Sequence, residues 1–196
     1  FDASVQMQRK SKNSYFISDT LSQKISETKN SQGVFAVCKM KNENISLKTN
    51  QKYIALDNLQ DPGNLGTVIR TAEALGISSV IVGGGCDVFN PKVLRASMGS
   101  VLRLDVFECQ SLAPVLQKAK SLGIKTYATS PDSSAKKINE TQFPKSSLCV
   151  IGNEANGVSD EVMNICDETV TIPMLGRAES LNAHVAGAIV MWEMLR

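Results

Sequence analysis

The sequence predicts an α/β fold, a parallel sheet with helices on both faces. Three observations predict it. From residue 53 onward, stretches that are apolar along their whole length alternate with segments whose apolar residues recur at helical spacing. Strands without a polar face must be covered on both sides, as in a parallel sheet between helices. Turn residues also stand at the joints, with Gly76 and Gly123 suited to end helices and Pro91 to start one.

The first residues, up to about residue 13, are polar and basic (Gln6, Gln8, Arg9, Lys10, Lys12). A short helix follows at residues 18–25, with Ser18 as N-cap and Leu21 and Ile25 at helical spacing. Residues 34–38 read as a buried strand opened by Gly33, and residues 39–52 as a polar linker. The first fifty residues, 1–50, therefore read as the end of an N-terminal module plus a linker, and residues 51–196 as a second domain. Within the latter, strands are predicted at 53–56, 80–82, 102–107, 125–129, 148–151 and 170–172. Helices are predicted at 65–75 with Asn64 as a cap, from Pro91 to residue 98, at 112–122, at 160–166 capped by Ser159, and at 181–195. In parallel sheets ligands bind beyond the carboxyl ends of the strands, where the loops after Leu56, Thr129, Ile151 and Ile172 should gather.

Composition narrows the class further. Forty-two per cent hydrophobic and 20% charged residues suit a soluble globular protein. No apolar run approaches the ~20 residues of a membrane span, and the first residues do not read as a secretory signal. The chain opens on Phe1 rather than Met, which reads as a fragment or a processed form. Five cysteines without a C-x-x-C pair predict a reducing, cytoplasmic setting and no metal site. A net charge of +2 neither requires nor forbids a nucleic-acid partner.

Three stretches carry candidate chemistry. No G-x-G-x-x-G follows residues 53–56, and Gly83-Gly84-Gly85 continues into Cys86-Asp87 without a third spaced glycine. Gly152 and Gly157 have phosphate-loop spacing, but Val158-Ser159 stand where Lys and Ser/Thr are required, which argues against a nucleoside triphosphate site. Arg70 falls with Thr67 and Thr71 on a helix face away from the apolar one, a place where an arginine is usually just a solvated charge. In the third stretch, Gly176, Arg177, Glu179 and Ser180 fill a loop before an apolar helix, a place where buried polar groups must find partners or bind something. His184 is the only histidine, one turn into that helix, and reads as a structural histidine.

Taken in order, Asp61-Pro62-Gly63-Asn64-Leu65-Gly66 with Arg70-Thr71-Ala72-Glu73, then Ile151-Gly152-Asn153-Glu154-Ala155-Asn156-Gly157, then Ile172-Pro173-Met174 with Glu179-Ser180-Leu181-Asn182, resemble the SpoU/TrmH family of RNA ribose 2′-O-methyltransferases in the SPOUT superfamily. The resemblance runs from about residue 53 to residue 196, and residues 14–40 resemble the end of the small α/β RNA-binding domain that often precedes this catalytic domain. It implies a deep trefoil knot on the C-terminal side of the sheet, a homodimer formed through the knotted domain, and S-adenosylmethionine as cofactor without any metal. By the same resemblance Thr129, Gly152, Ile172, Met174 and Leu181 hold the cofactor, while Asn64, Arg70, Glu154, Ser180 and Asn182 surround the ribose hydroxyl. The implied partner is ribosomal or transfer RNA. Arg70 is often given the role of base in this family. Because a guanidinium stays protonated in proteins, a clamp on the neighbouring phosphate and the developing alkoxide is the better physical role. Two departures stand out: Asn153-Glu154-Ala155-Asn156 replaces the commoner Ser-Glu-Gly-Glu style, and His184 sits where small residues are usual. The alternative reading is a knotted RNA-binding protein without catalytic activity.

Overall fold

The computed structural model describes residues 13–39 and 44–196. The basic stretch at residues 1–12 and part of the predicted linker, residues 40–43, lie outside the described residues. The chain divides into two compact units, Phe1–Asn42 and Glu43–Arg196.

In the first unit, α1 spans Asp19–Ile25, and Ser18 caps it by accepting a hydrogen bond from the Leu21 N–H at 3.3 Å. The predicted strand at residues 34–38 does not form, and its apolar side chains stay exposed, Val37 fully so. A strand needs a ladder partner as well as an apolar sequence, and none of the described residues pairs with this segment.

The second unit is a seven-stranded sheet in which every pairing is parallel. Its strands are β1 (Lys52–Asp57), β2 (Ser79–Gly83), β3 (Asp105–Cys109), β4 (Lys125–Thr129), β5 (Lys136–Lys137), β6 (Ser147–Ile151) and β7 (Glu168–Thr171). They lie in the order β3-β2-β1-β6-β4-β7-β5. Its helices are α2 (Pro62–Leu75), α3 (Pro91–Ala96), α4 (Ala113–Ser121), α5 (Asp160–Ile165) and α6 (Ala183–Leu195). Alternation along β1 divides the core. Ile54 and Leu56 pack with Leu65, Val68 and Ile69 of α2 and Val190 and Met191 of α6. Tyr53 and Ala55 pack on the opposite face with Leu116 and Ala119 of α4 and Val162 of α5.

Several boundaries differ from the sequence reading. The N-cap of α2 is Asp61, whose carboxylate accepts the Asn64 N–H at 2.8 Å; Asn64 is thereby freed for another role. Residues 100–102 form a 3₁₀ turn, so β3 starts only at Asp105, and α3 stops at Ala96 before Met98 adopts φ 50°. Ser159 occupies the N-cap position of α5 without a side-chain cap, and its own N–H donates to Asp57. β7 ends at Thr171, leaving Ile172 just beyond it, and α6 begins at Ala183 because Asn182 is its N-cap. β5 and the 3₁₀ turn Ile138–Glu140 carry too short a pattern to be read from sequence.

Asp167 fixes where β7 meets β4. Its carboxylate accepts from the Thr126 N–H and hydroxyl, both at 2.8 Å, and pairs with Lys120 at 3.1 Å. Desolvation pushes this carboxyl up, but the hydrogen bonds from Thr126 and Lys120 outweigh it and hold it below the usual value. Asp167→Ala leaves the Thr126 donors unpaired and is expected to lower unfolding free energy by about 1–3 kcal/mol, read as a lower urea midpoint with an unchanged slope.

Candidate active site

The site is built where the carboxyl ends of β1 and β6 lie side by side, since Leu56 is in register with Ile151. After β6 the chain makes a tight loop in which Asn153 and Gly157 bond to each other through N–H and C=O at 2.8 and 2.9 Å. Gly152 is buried under it, and a Cβ there would lie 2.1 Å from the Gly157 carbonyl carbon. Gly152 therefore serves close backbone approach within the loop, and Gly157 supplies its φ of 70°. Gly85 has the same kind of role: with φ 80°, it backs onto the β1–α2 loop, and its Cβ would meet the Leu59 carbonyl oxygen at 2.3 Å.

This loop aims Glu154 at the start of α2. One carboxylate oxygen accepts the Asn64 side-chain amide at 2.8 Å and the Asp61 N–H at 3.3 Å, and the other accepts the Gln60 N–H at 3.3 Å. Desolvation raises the Glu154 carboxyl, but hydrogen bonds from Asn64, its own backbone, Gln60 and Asp61 outweigh it and hold it below the ordinary carboxylate range. Asn64 is only 7% exposed, and its amide oxygen meets His184 Nδ1 at 3.0 Å. His184 thus belongs to the site rather than to the core alone. A sole histidine in the first turn of an otherwise apolar helix was the available signal, but its partner lies 120 residues away.

The remaining candidates are placed as follows. Arg70 is exposed on α2, with Thr67 and Thr71 half-buried beside it. No described residue bonds to its side chain, so the structure does not join it to Ser180 or Asn182. Ser180 and Asn182 are exposed; Asn182 accepts the His184 N–H at 2.9 Å. Thr129 ends β4, where its hydroxyl donates to the Val150 carbonyl at 3.0 Å and its backbone is in register with Val170. Gly152, Thr129 and Ile172 thus sit at the carboxyl ends of the neighbouring strands β6, β4 and β7. Ile172, Met174 and Leu181 are half-buried, and residues 173–181 make no hydrogen bond or ion pair with the described residues. The polar side chains of this loop, Arg177, Glu179 and Ser180, are exposed. Open backbone groups beside apolar side chains suit a flat heteroaromatic ligand. A cleft of about 150 Å³ opens elsewhere, over the ends of β1–β3, lined by Asp57, Gly84, Gln110, Ser111 and Ser159; it contains none of the candidate residues.

No helix among the described residues is long and apolar enough to cross a membrane, and no group of His, Cys, Asp and Glu among them could hold a metal ion. Burial pushes the Cys109 and Cys149 thiols up and the Cys166 thiol up to about 12, which disfavours their thiolate forms.

The sequence pattern of the SpoU rRNA Methylase family matches residues 51–192. The chain belongs to that family. It is 36% identical over 181 residues to the 23S rRNA (guanosine(2553)-2′-O)-methyltransferase RlmP of Bacillus subtilis, covering 92% of this chain and 71% of the relative. Among solved structures it resembles an RNA 2′-O ribose methyltransferase, with a TM-score of 0.78 and 30% identity over 91% of this chain and 69% of that one. It also resembles the SpoU methyltransferase AviRb of Streptomyces viridochromogenes in complex with the cofactor AdoMet, with a TM-score of 0.69 and 32% identity. That match covers 77% of this chain and 59% of AviRb, so the chain spans about three fifths to seven tenths of these family members.

The depressed carboxyl of Glu154 has a consequence for stability. Its hydrogen bonds contribute stability that is fully present above the unfolded carboxyl value and is lost as pH falls through the lower folded value. Glu154→Gln lacks that titration. The difference in Tm between wild type and variant is expected to be largest near neutral pH and to shrink through the acid range; a pH-independent difference would contradict it.

Proposed function

We propose that this chain is an S-adenosylmethionine-dependent methyltransferase that modifies a ribose 2′-hydroxyl of ribosomal or transfer RNA. The observation that carries the reading is the 2.8 Å contact between Asn64 and Glu154. It joins two separate family motifs at the head of the helix that bears Arg70. The family relatives support the activity: one is named for 2′-O-methylation of 23S rRNA, and another was solved with AdoMet. They give no support to the non-catalytic alternative.

Thr129, Gly152, Ile172, Met174 and Leu181 are the residues that would hold the cofactor. The half-buried apolar side chains would take the adenine, and the open backbone of residues 173–181 its polar edge. Bound there, S-adenosylmethionine supplies an electrophilic sulfonium methyl group. The protein's own task is to orient a weakly nucleophilic hydroxyl and ease loss of its proton. Glu154 holds Asn64 and the start of α2 in place, so that Arg70 projects from a fixed helix. Arg70, exposed and bonded through its side chain to no described residue, can grip the phosphate beside the target ribose and stabilise the oxygen as negative charge develops. Ser180 and Asn182 offer hydrogen-bonding groups to the same ribose or to Arg70.

The wider reading follows the family. The passage of α6 back onto α2 and β6, touching the 3₁₀ turn Ile138–Glu140, supports the trefoil knot. The exposed apolar side chains of Trp192 (62%), Val185 and Leu195 on α6 support a homodimer through this domain. Residues 1–50 would be the end of an RNA-binding domain with its linker, residues 51–196 the catalytic domain, and the cytoplasm the compartment where such RNA is met.

The test is transfer of labelled methyl from S-adenosylmethionine to total ribosomal and transfer RNA from a strain lacking the gene, followed by mapping of 2′-O-methyl positions. Label at one ribose in one RNA is expected; a base methyl or no incorporation would overturn the reading. Arg70→Lys keeps the charge but loses the planar fork. It is expected to lower kcat roughly a hundredfold while S-adenosylmethionine binding by calorimetry is unchanged. Full activity in this variant would remove the clamp.

A further inference from the structure

We propose that His184 is a positioning residue for catalysis: its Nδ1–H holds the Asn64 amide in the one orientation that lets Asn64 support Glu154. The proposal rests on the methyltransferase reading but adds a residue outside its five candidate catalytic groups.

An ionised carboxylate only accepts, so the nitrogen of the Asn64 amide must be the atom facing Glu154, and the hydrogen bonds to Glu154 favour the ionised form. The amide oxygen is then the atom that faces His184 Nδ1 at 3.0 Å. An oxygen acceptor requires a donor, which fixes the proton on Nδ1. Rotating the amide by half a turn would set its oxygen against the acceptor-only carboxylate, where no hydrogen bond can form, and would turn its NH₂ toward a ring nitrogen that already carries a proton in the Nδ1–H tautomer. Asn64 is 7% exposed, and water does little to rescue a misplaced amide.

The placement of the histidine makes this contact rigid. His184 lies in the first turn of α6, where its own N–H donates to Asn182 at 2.9 Å. The last helix is thus tied to the first turn of α2 through Asn64 and, through Asn64 again, to Glu154 of the β6–α5 loop. A small residue at position 184 could not span the distance to Asn64, so the contact belongs to this chain's sequence rather than to the fold.

Two measurements test it. His184 is the sole histidine, so a tag-free chain labelled with ¹⁵N-histidine gives one imidazole in a long-range ¹H–¹⁵N spectrum. In the neutral ring the single proton is expected on Nδ1; a neutral ring protonated on Nε2 overturns the contact. In the methyl-transfer assay on total ribosomal and transfer RNA, His184→Ala and His184→Phe are expected to lower kcat roughly five- to tenfold, the kinetic equivalent of one hydrogen bond. KM for S-adenosylmethionine should stay near the wild-type value. His184→Asn, whose amide nitrogen occupies the place of Nδ1, should restore most of the lost rate, although its thermal stability need not recover. Wild-type kcat in a folded His184→Phe variant overturns the positioning role, as does an Asn variant no better than Ala. A wild-type chain that transfers no methyl group fails the functional reading and the catalytic part of this one, whereas the tautomer reports on the contact alone.

Discussion

The carboxylate of Glu154 is the constraint on which the site depends. Two loops leave neighbouring strands, and nothing in a parallel sheet obliges those loops to touch. Here one acceptor-only group collects two backbone N–H groups and a side-chain amide from the turn that starts α2. The loop that carries it is in turn braced by the Asn153–Gly157 pair, and Asn153 reaches across to the Asn58 carbonyl at 2.8 Å. The β1–α2 turn is therefore held from the β6 side by side-chain chemistry, and from the β2 side by the Asn58 N–H bond to Gly83 and the Cys86 N–H bond to Leu59.

Much of the fold was legible in the sequence because the relevant forces are local or periodic. The apolar runs that became β1, β4 and β6 could be read from burial on both faces, and Gly76 and Gly123 do take positive φ at helix ends. What failed was what depends on a distant partner. Residues 34–38 look like a strand by composition alone. Asn64 reads as a cap because Asp61 is an equally good one only three residues earlier. The site was half legible. Glu154 and Asn64 come from motifs that can be seen separately, and the bond between them spans 90 residues. His184 could be seen but reads as structural, since one ring among apolar neighbours looks like core until its partner is known.

The two halves of the site differ in kind. Asn64, Glu154 and His184 bond to one another and are set before any ligand arrives. The side chains of Arg70, Ser180 and most of residues 173–181 are exposed and bond to no described residue. A rigid half defines where the reacting groups must be, and an open half offers groups that gain partners only on binding. Ordering the open half costs conformational entropy, which binding has to offset.

The position of β6 in the sheet sets when this arrangement can first exist. β6 is the sixth strand in the chain, yet it fills the gap between β1 and β4. During synthesis β1 has β2 beside it early but lacks its other neighbour until Ser147–Ile151 has emerged. Glu154 follows only then, and the tie from α6 comes last of all. Contacts so distant along the chain close slowly. A ribosome-bound or truncated product ending before α6 would have much of the sheet but not the assembled site, which needs the first turn of α6 in place.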